Sequence, residues 1–195
     1  MQVIDRICLA DLPSTSWKNG GGSTRTLAVE PANASLDDFL WRISLAEITV
    51  PGPFSSFPGI DRIISLWRGP GVVLHSPSWL CRTLDQSCEP FAFSGEDCVT
   101  CTLIDGPSTD FNLMFRRDVV RASFTAHTAA TFIHQTVDHC ILLCNRGELR
   151  VEGAIQIPAL SADHMIQLPR FCAGLSVVPT EPGTLYAVIL IHYEH

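Results

Sequence analysis

The sequence has few charged residues and no excess of positive charge. Charged side chains make up 17% of its 195 residues, compared with about 25% in an average soluble domain. Acidic residues outnumber basic ones by 20 to 13, which gives a net charge of −7. Binding to nucleic acid or to an anionic membrane is therefore not expected, because both attract cationic proteins. A disordered chain is also excluded, since 46% of the residues are apolar.

Signals for export or membrane insertion are missing as well. Residues 1–13 lack the basic stretch and the apolar segment of a signal peptide. The apolar run 185–191 is far shorter than the roughly 20 residues that span a bilayer. We therefore expect a cytoplasmic protein in which the eight cysteines are buried thiols rather than disulfides.

Motifs for metals and nucleotides are absent from the sequence. None of the seven histidines belongs to a His-x-His pair. Cys98 and Cys101 have C-x-x-C spacing, but they fall in a predicted strand, where residues three apart point to opposite faces. The glycines at 20–22 do not follow the order of a P-loop or of a dinucleotide-binding fold. The sequence therefore predicts neither a metal nor a cofactor.

Apolar and polar residues alternate along most of the chain, which predicts an all-β protein. The 13 glycines and 13 prolines are typical of many short strands joined by turns. In 41–46 and in 110–115 one face is apolar, and the other carries Arg42 and Ser44, or Asp110, Asn112 and Met114. Only 34–39 is predicted to form a short helical turn.

Two segments of the chain have a similar pattern. Residues 62–74 and 140–151 each contain an apolar run, a turn with glycine and a second run, and each is predicted to form a β-hairpin. This repeat indicates two similar β-barrels in tandem. We place the boundary near 116–118 and predict an N-terminal half, 1–117, and a C-terminal half, 118–195.

The segment 17–25 concentrates groups that bind small anions. Its three consecutive glycines allow backbone N–H groups to approach a ligand, and Lys18 and Arg25 are cationic. Asn19 adds both hydrogen-bond donors and an acceptor. A glycine-rich turn between strands, with its cations in solvent, is an equally good interpretation.

A second candidate site is the loop 51–59 with the strand that follows it. Prolines and glycines stiffen this loop, phenylalanines can wall a pocket, and Arg62 can bind a carboxylate through two hydrogen bonds. Alternatively, Asp61 and Arg62 form a surface pair that contributes little stability. A third candidate is the face with Asp110 and Asn112, which either lines a cavity or faces solvent.

Taken in chain order, these motifs resemble those of the HutD/Ves family. The resemblance rests on short stretches with the sequences WKNGGG at 17–22, WRIS at 41–44, GPFS at 52–55, FPGIDR at 57–62, PFAF at 90–93, DGP at 105–107 and DFNLM at 110–114. These matches run from about residue 10 to about residue 117, and beyond them only the length and the β pattern are similar.

The resemblance implies an all-β fold with two tandem cupin-type β-barrels, or jelly rolls, an arrangement called a bicupin. Because the His-x-His motif of many cupins is missing here, it implies a pocket without metal. It further implies a non-catalytic protein that binds a small carboxylate, such as urocanate or formylated glutamate, and regulates histidine-degradation genes. The family pattern assigns ligand binding to Trp17, Lys18, Asn19, Arg42, Arg62, Asp110, Asn112 and Met114.

A metal-independent enzyme is the alternative interpretation. An isomerase or hydrolase for a small carboxylic acid would use an aspartate or histidine as general base and Lys18 as acid or electrostatic stabiliser. His75 is the only histidine in the half that carries the motifs. In a third interpretation the motifs serve folding alone. A homodimer is compatible with each of the three interpretations.

Overall fold

The backbone is almost entirely β-strand. The computed structural model describes residues 6–134, 136–153, 159–168 and 174–194. The helical structure within these ranges is a single 3-10 turn at Leu9–Asp11, and no helix there has the length and apolar character to cross a bilayer. The strands are β1 (Arg6–Cys8), β2 (Ser14–Ser16), β3 (Gly22–Glu30), β4 (Trp41–Ile48), β5 (Gly52–Pro53), β6 (Ile60–Arg68), β7 (Val72–Ser76), β8 (Leu80–Leu84), β9 (Phe91–Ser94), β10 (Thr100–Leu103), β11 (Ser108–Arg116), β12 (Val120–His127), β13 (Thr131–Ile133), β14 (His139–Arg146), β15 (Glu148–Glu152), β16 (Leu160–Ser161), β17 (His164–Leu168), β18 (Leu175–Pro179) and β19 (Leu185–Tyr193).

The chain divides into two units. The N-terminal unit is Leu12–Val120, and the C-terminal unit combines Met1–Asp11 with Arg121–His195. The sequence places the boundary after residue 117, a few residues before this division. Strand β1 is part of the C-terminal unit because it pairs with β17 in antiparallel register. Residues 6–11 therefore belong to the C-terminal unit, although they come first in the described chain.

The N-terminal unit consists of two sheets with a shared core. One sheet has the strand order β2-β3-β4-β11-β6-β9, and the other has the order β5-β10-β7-β8. Apolar side chains from both sheets form one buried cluster, which includes Ile64 and Leu66 from the first sheet and Leu74 and Cys101 from the second. Burying both inner faces against each other is the main source of stability in such a two-layer arrangement.

The C-terminal unit repeats this strand order. Its sheets are β1-β17-β14-β19-β12 and β13-β18-β15-β16. The series β12-β19-β14-β17 corresponds to β4-β11-β6-β9, and β13-β18-β15-β16 corresponds to β5-β10-β7-β8. The internal repeat that the sequence indicates is therefore present as a repeat of topology. Each unit is a pair of open sheets in the described residues, and the all-β prediction is confirmed.

The two predicted β-hairpins are wrong. Strands β6 and β7 belong to different sheets, and so do β14 and β15. The glycine turns between them carry the chain from one sheet to the facing one. At Gly71 the backbone has a φ of 109°, and a Cβ would lie 2.3 Å from the carbonyl oxygen of Leu84. A glycine turn with positive φ therefore marks a crossing between sheets here, although the same signal is typical of hairpins.

The predicted helical turn at 34–39 is also wrong, since this segment forms turns. The hydroxyl of Ser35 accepts a hydrogen bond from the backbone N–H of Asp37 and donates one to the carboxylate of Asp38. Local bonds of this kind favour turns over helices.

Replacing Gly71 by alanine tests whether the chain is tightly packed where it passes from one sheet to the facing one. Gly106 is the matched control, because it has a similar φ of 106° but no atom lies within 4 Å of the place that a Cβ would take. We expect Gly106→Ala to lower the free energy of unfolding by about 1 kcal/mol through backbone strain, and Gly71→Ala by about 3 kcal/mol because the clash adds to that strain. Urea unfolding followed by tryptophan fluorescence measures both, and equal losses would contradict a tight crossing at Gly71.

Candidate functional site

The polar face that the sequence predicts points into the interior of the N-terminal unit. Arg62, Ile64 and Leu66 alternate along β6, so their side chains share one face of the sheet. Ile64 and Leu66 belong to the core between the two sheets. The register places the polar side chains of β4 and β11 on the same face, namely Arg42, Ser44, Asp110 and Asn112, together with the apolar Met114. The predicted separation of polar and apolar faces is confirmed.

Arg62 is a buried cation enclosed by an amide and three aromatic rings. The residue is 6% exposed. Its Nε and Nη2 donate hydrogen bonds to Oδ1 of Asn112 at 3.2 and 3.1 Å. The guanidinium carbon lies 4.9 Å from the ring centroid of Phe93, 5.1 Å from that of Phe54 and 5.8 Å from that of Phe57. The loop 51–59 thus supplies two aromatic walls, and cation–π attraction helps to offset the lost hydration of the guanidinium.

Arg42 lies on the same face, two strands away from Arg62. Met114 is the register partner of both arginines, so their Cα atoms are about 10 Å apart. Nη2 of Arg42 donates a hydrogen bond to the hydroxyl of Thr26 at 2.7 Å, and Nη1 donates one to the hydroxyl of Ser44 at 3.3 Å. Both partners are neutral, so the positive charge of Arg42 is hydrogen-bonded but not compensated by them.

Asp110 is a fully buried carboxyl group without a hydrogen bond. It is 0% exposed, and neither carboxylate oxygen has a hydrogen-bond partner among the described residues. Burial raises the pKa of Asp110 to about 7, although the positive charge of Arg62 opposes this shift. Burial and, secondarily, the charge of Asp110 raise the pKa of the Cys101 thiol to about 12. Cys101 lies on β10, so Asp110 is close to a thiol of the facing sheet.

The electrostatic balance of this interior is positive. Burial lowers the pKa of Arg62 to about 10, the charge of Asp110 raises it again, and the charge of Arg42 lowers it further. Burial also lowers the pKa of Arg42. Both guanidinium groups remain protonated at neutral pH, whereas Asp110 is only partly ionised there. Two cations therefore share the interior with less than one full negative charge from Asp110.

The segment 17–22 forms a tight loop at one end of this face. Nε1 of Trp17 donates a hydrogen bond to the hydroxyl of Thr24 at 2.7 Å, and Oδ1 of Asn19 accepts one from the backbone N–H of Gly21 at 3.0 Å. A Cβ on Gly22 would lie 2.1 Å from the carbonyl oxygen of Glu47, so the close pairing of β3 and β4 requires glycine here. Lys18, the only lysine of the sequence, is exposed on this loop.

The structure therefore brings some of the predicted site residues together and leaves others apart. Five share the interior face: Arg42, Arg62, Asp110, Asn112 and Met114. Trp17 packs against the edge of the same core, whereas Lys18 and Asn19 are exposed. Met114 also contacts a small apolar cluster with Phe39 and Ile60.

Four residues that contact the predicted site residues were given no role by the sequence. The hydroxyls of Thr24, Thr26 and Ser44 bind Trp17 and Arg42, and the ring of Phe93 covers Arg62. A usable signal was present in the alternation that places Thr24 and Thr26 on one face of β3.

On the corresponding face of the C-terminal unit, the counterparts of β6 and β11 carry no charged side chain. The equivalent strands β14 and β19 present an apolar interior made of Cys140, Leu142, Cys144, Tyr186, Val188 and Leu190. The two units have the same strand order, but on these two strands the interior face is charged in the N-terminal unit and apolar in the C-terminal unit. The charged face of the N-terminal unit is not required by this topology.

The location and burial of the cysteines agree only in part with the prediction. Cys101 lies on β10 and is buried, whereas Cys98 is exposed and precedes this strand, so the prediction that both lie in one strand is wrong. The expectation that all the thiols are buried is wrong for Cys81 and Cys98, because both are exposed. These two residues and His75 line an open groove of about 570 Å³. Cys172 lies outside the described residues, and within those residues no group of three or more candidate ligands is placed to hold a metal ion.

The pH dependence of stability tests the environment of Asp110. Because its folded pKa of about 7 exceeds the ordinary value of 3.8, ionisation destabilises the fold, and stability is lost as pH rises from about 4 to above 7. We expect Asp110→Asn to remove this loss, which amounts to about 4 kcal/mol. Urea unfolding of both proteins at several pH values measures it, and all four tryptophans lie in the N-terminal unit. Parallel stability curves would contradict the assignment.

Comparison with known proteins agrees with the motifs and the fold. The chain is 34% identical over 154 residues to an uncharacterized 21.2 kDa protein in the hutC 3′ region of Pseudomonas putida, an alignment covering 79% of this chain and 80% of the relative. It is 40% identical over 112 residues to the protein Ves of Citrobacter koseri, which covers 57% of each. The solved structure of HutD from Pseudomonas fluorescens superposes with a TM-score of 0.85 at 31% identity, covering 99% of this chain and 100% of that one.

The fold likeness extends to cupins. A cupin 2 conserved barrel domain protein from Leptotrichia buccalis superposes with a TM-score of 0.59 at 8% identity, covering 100% of this chain and 98% of that one. At that identity the likeness concerns the fold alone, which is therefore cupin-like. The model of the HutD family matches residues 9–179, and the chain belongs to the HutD family.

Proposed function

We propose that this protein is a bicupin that binds a small carboxylate on the interior face of its N-terminal unit and takes part in histidine utilisation. The HutD-family matches suggest the association with histidine utilisation. The repeated strand order and the cupin-like neighbour support two barrels in tandem. Urocanate and formylated glutamate are the candidate ligands, and ligand binding in the cytoplasm regulates the expression of histidine-degradation genes.

The observation that carries this proposal is the buried guanidinium of Arg62, with the half-buried Arg42 on the same face. Removing a guanidinium from water is costly unless an anion accompanies it. Arg42 and Arg62 have neutral hydrogen-bond partners, and Asp110 supplies only part of the compensating charge. In the C-terminal unit the counterparts of β6 and β11 present apolar side chains on the equivalent face. An anionic ligand is the simplest group that completes the charge balance.

Each side chain has a role in this proposal. Arg62 binds the ligand carboxylate, and Asn112 orients the guanidinium through its two hydrogen bonds. Phe54 and Phe93 provide apolar walls next to the cation, and apolar surface with a few polar groups is typical of small-molecule sites. Arg42 contributes positive charge, and Met114 lies between the two arginines in register. Lys18, Asn19 and Trp17 belong to the loop at the end of the face.

Replacing Arg62 by glutamine tests the proposal. We expect isothermal titration calorimetry to detect one urocanate or N-formylglutamate per chain in the wild-type protein. Loss of a buried charge-assisted hydrogen bond should weaken this binding by roughly 10- to 100-fold in Arg62→Gln.

Arg150→Gln is the matched control for that substitution. Arg150 is an exposed cation of the C-terminal unit that pairs with Glu152, so this variant should bind as the wild type does. Equal weakening in both variants, or no binding of any acid to the wild-type protein, would count against the proposed site.

A homodimer, which the sequence allows, would appear as a concentration-dependent mass in sedimentation.

The environment of Asp110 also favours a second candidate function, a metal-independent isomerase or hydrolase. A carboxyl group with a pKa of about 7 is suited to general acid–base catalysis at neutral pH, and Arg62 can stabilise negative charge on a bound acid. Prolonged incubation with urocanate or N-formylglutamate, followed by chromatography, separates the two functions. A binding protein returns these acids unchanged, whereas substoichiometric enzyme that consumes them, with loss of turnover in Asp110→Asn, would establish catalysis.

A further inference from the structure

We propose that the ligand brings a hydrogen-bond donor of its own, an N–H group, and that Asp110 accepts it and thereby selects among small acids. This inference rests on the proposed function, because it concerns the same interior face. It adds a requirement that a carboxylate alone does not meet. The ligand class becomes a carboxylic acid with an amide or nitrogen-heterocycle N–H at some distance from the carboxylate.

The hydrogen-bonding capacity of Asp110 is unsatisfied. The side chain is completely buried, and both of its oxygens lack a partner among the described residues. Buried polar groups in native proteins are nearly always hydrogen-bonded, and leaving one unpaired is destabilising. A carboxylate oxygen can accept from several donors, so this group offers a strong acceptor in the place where the proposed ligand binds.

Among the described residues, the side chains next to Asp110 donate no hydrogen bond to it. In register, Asp110 lies between Ala46 on β4 and Leu66 on β6, which have apolar side chains. Arg62 directs its Nε and Nη2 to Asn112, and its interaction with Asp110 is a longer-range attraction of charges. The thiol of Cys101 is oriented toward the carbonyl oxygen of Thr102 instead.

Arg42 is engaged as well, because its hydrogen bonds go to Thr26 and Ser44. No described residue donates a hydrogen bond to Asp110, so we assign this donor to the bound ligand.

Arg62 and Asp110, which bind the two ends of the proposed ligand, lie apart along the direction of β11. Met114, the register partner of Arg62, is four residues from Asp110, or about 13 Å between Cα atoms. The long side chain of Arg62 covers part of this distance. A ligand with its carboxylate at one end and an N–H at the other can reach both groups, whereas a very short acid reaches only one. Sites that hydrogen-bond a ligand N–H reject analogues without it strongly, because the protein group is then left unpaired.

The test compares pairs of similar acids, of which one member has an N–H and the other lacks it. Urocanate and 3-(2-furyl)acrylate have similar planar shapes, but the furan ring has no N–H. N-formylglutamate and its N-methylated derivative form a second pair. Calorimetric titration at pH 8, where Asp110 is mostly ionised, should show that the wild-type protein binds the N–H member of at least one pair ten times or more tightly than its partner.

Substitution of Asp110 completes the test. Asp110→Leu removes both acceptors and keeps the branched shape of the side chain, so this variant should bind the two members of the pair with a ratio near one while still binding the analogue without N–H. If the variant does not fold, as judged by its thermal unfolding, the wild-type ratio alone decides. Equal binding of both members to the wild-type protein overturns the role of Asp110 and leaves the proposed function standing. Failure of all four acids to bind overturns both.

Discussion

The burial of Arg62 is the interaction on which the N-terminal unit depends. A guanidinium between two sheets requires hydrogen-bond acceptors, polarisable surroundings and negative charge close by. Asn112 supplies the acceptor, three phenylalanine rings supply the surroundings, and Asp110 supplies part of the charge. The loop 51–59 is fixed in the place where two of these rings reach the cation, since the N–H of Phe57 donates to the carbonyl oxygen of Gly95 at 2.8 Å.

The two units provide an internal comparison of what the fold needs. Both have the same order of eight strands, and both cross between sheets at a glycine turn. The C-terminal unit fills its interior with apolar side chains, as a stable two-layer core requires. On β6 and β11, which correspond to β14 and β19, the N-terminal unit keeps Arg62 and Asp110. Buried charged groups lower the stability of a fold, and they are typical of functional sites, where they serve binding or chemistry.

Period-two alternation allowed the sequence to predict the strands and the polar faces, because neighbouring side chains of a strand point to opposite sides. It could not show that the face with Arg42 and Asp110 is the inner one, since the alternate face with Trp41 and Phe111 is buried too. The hairpins failed because a glycine with positive φ, such as Gly71, fits both a hairpin and a crossing between sheets. The contacts of Arg62 with Asn112 and Phe93 join residues far apart in the chain, and no local pattern encodes them.

A solved structure of the protein with urocanate or N-formylglutamate bound would show directly whether Arg62 holds a carboxylate. We predict electron density for the acid on the interior face of the N-terminal unit, with its carboxylate within hydrogen-bond distance of the guanidinium of Arg62. Density for the acid elsewhere, for example in the groove lined by His75 and Cys81 or within the C-terminal unit, with the face of Arg62 unchanged, would contradict this prediction.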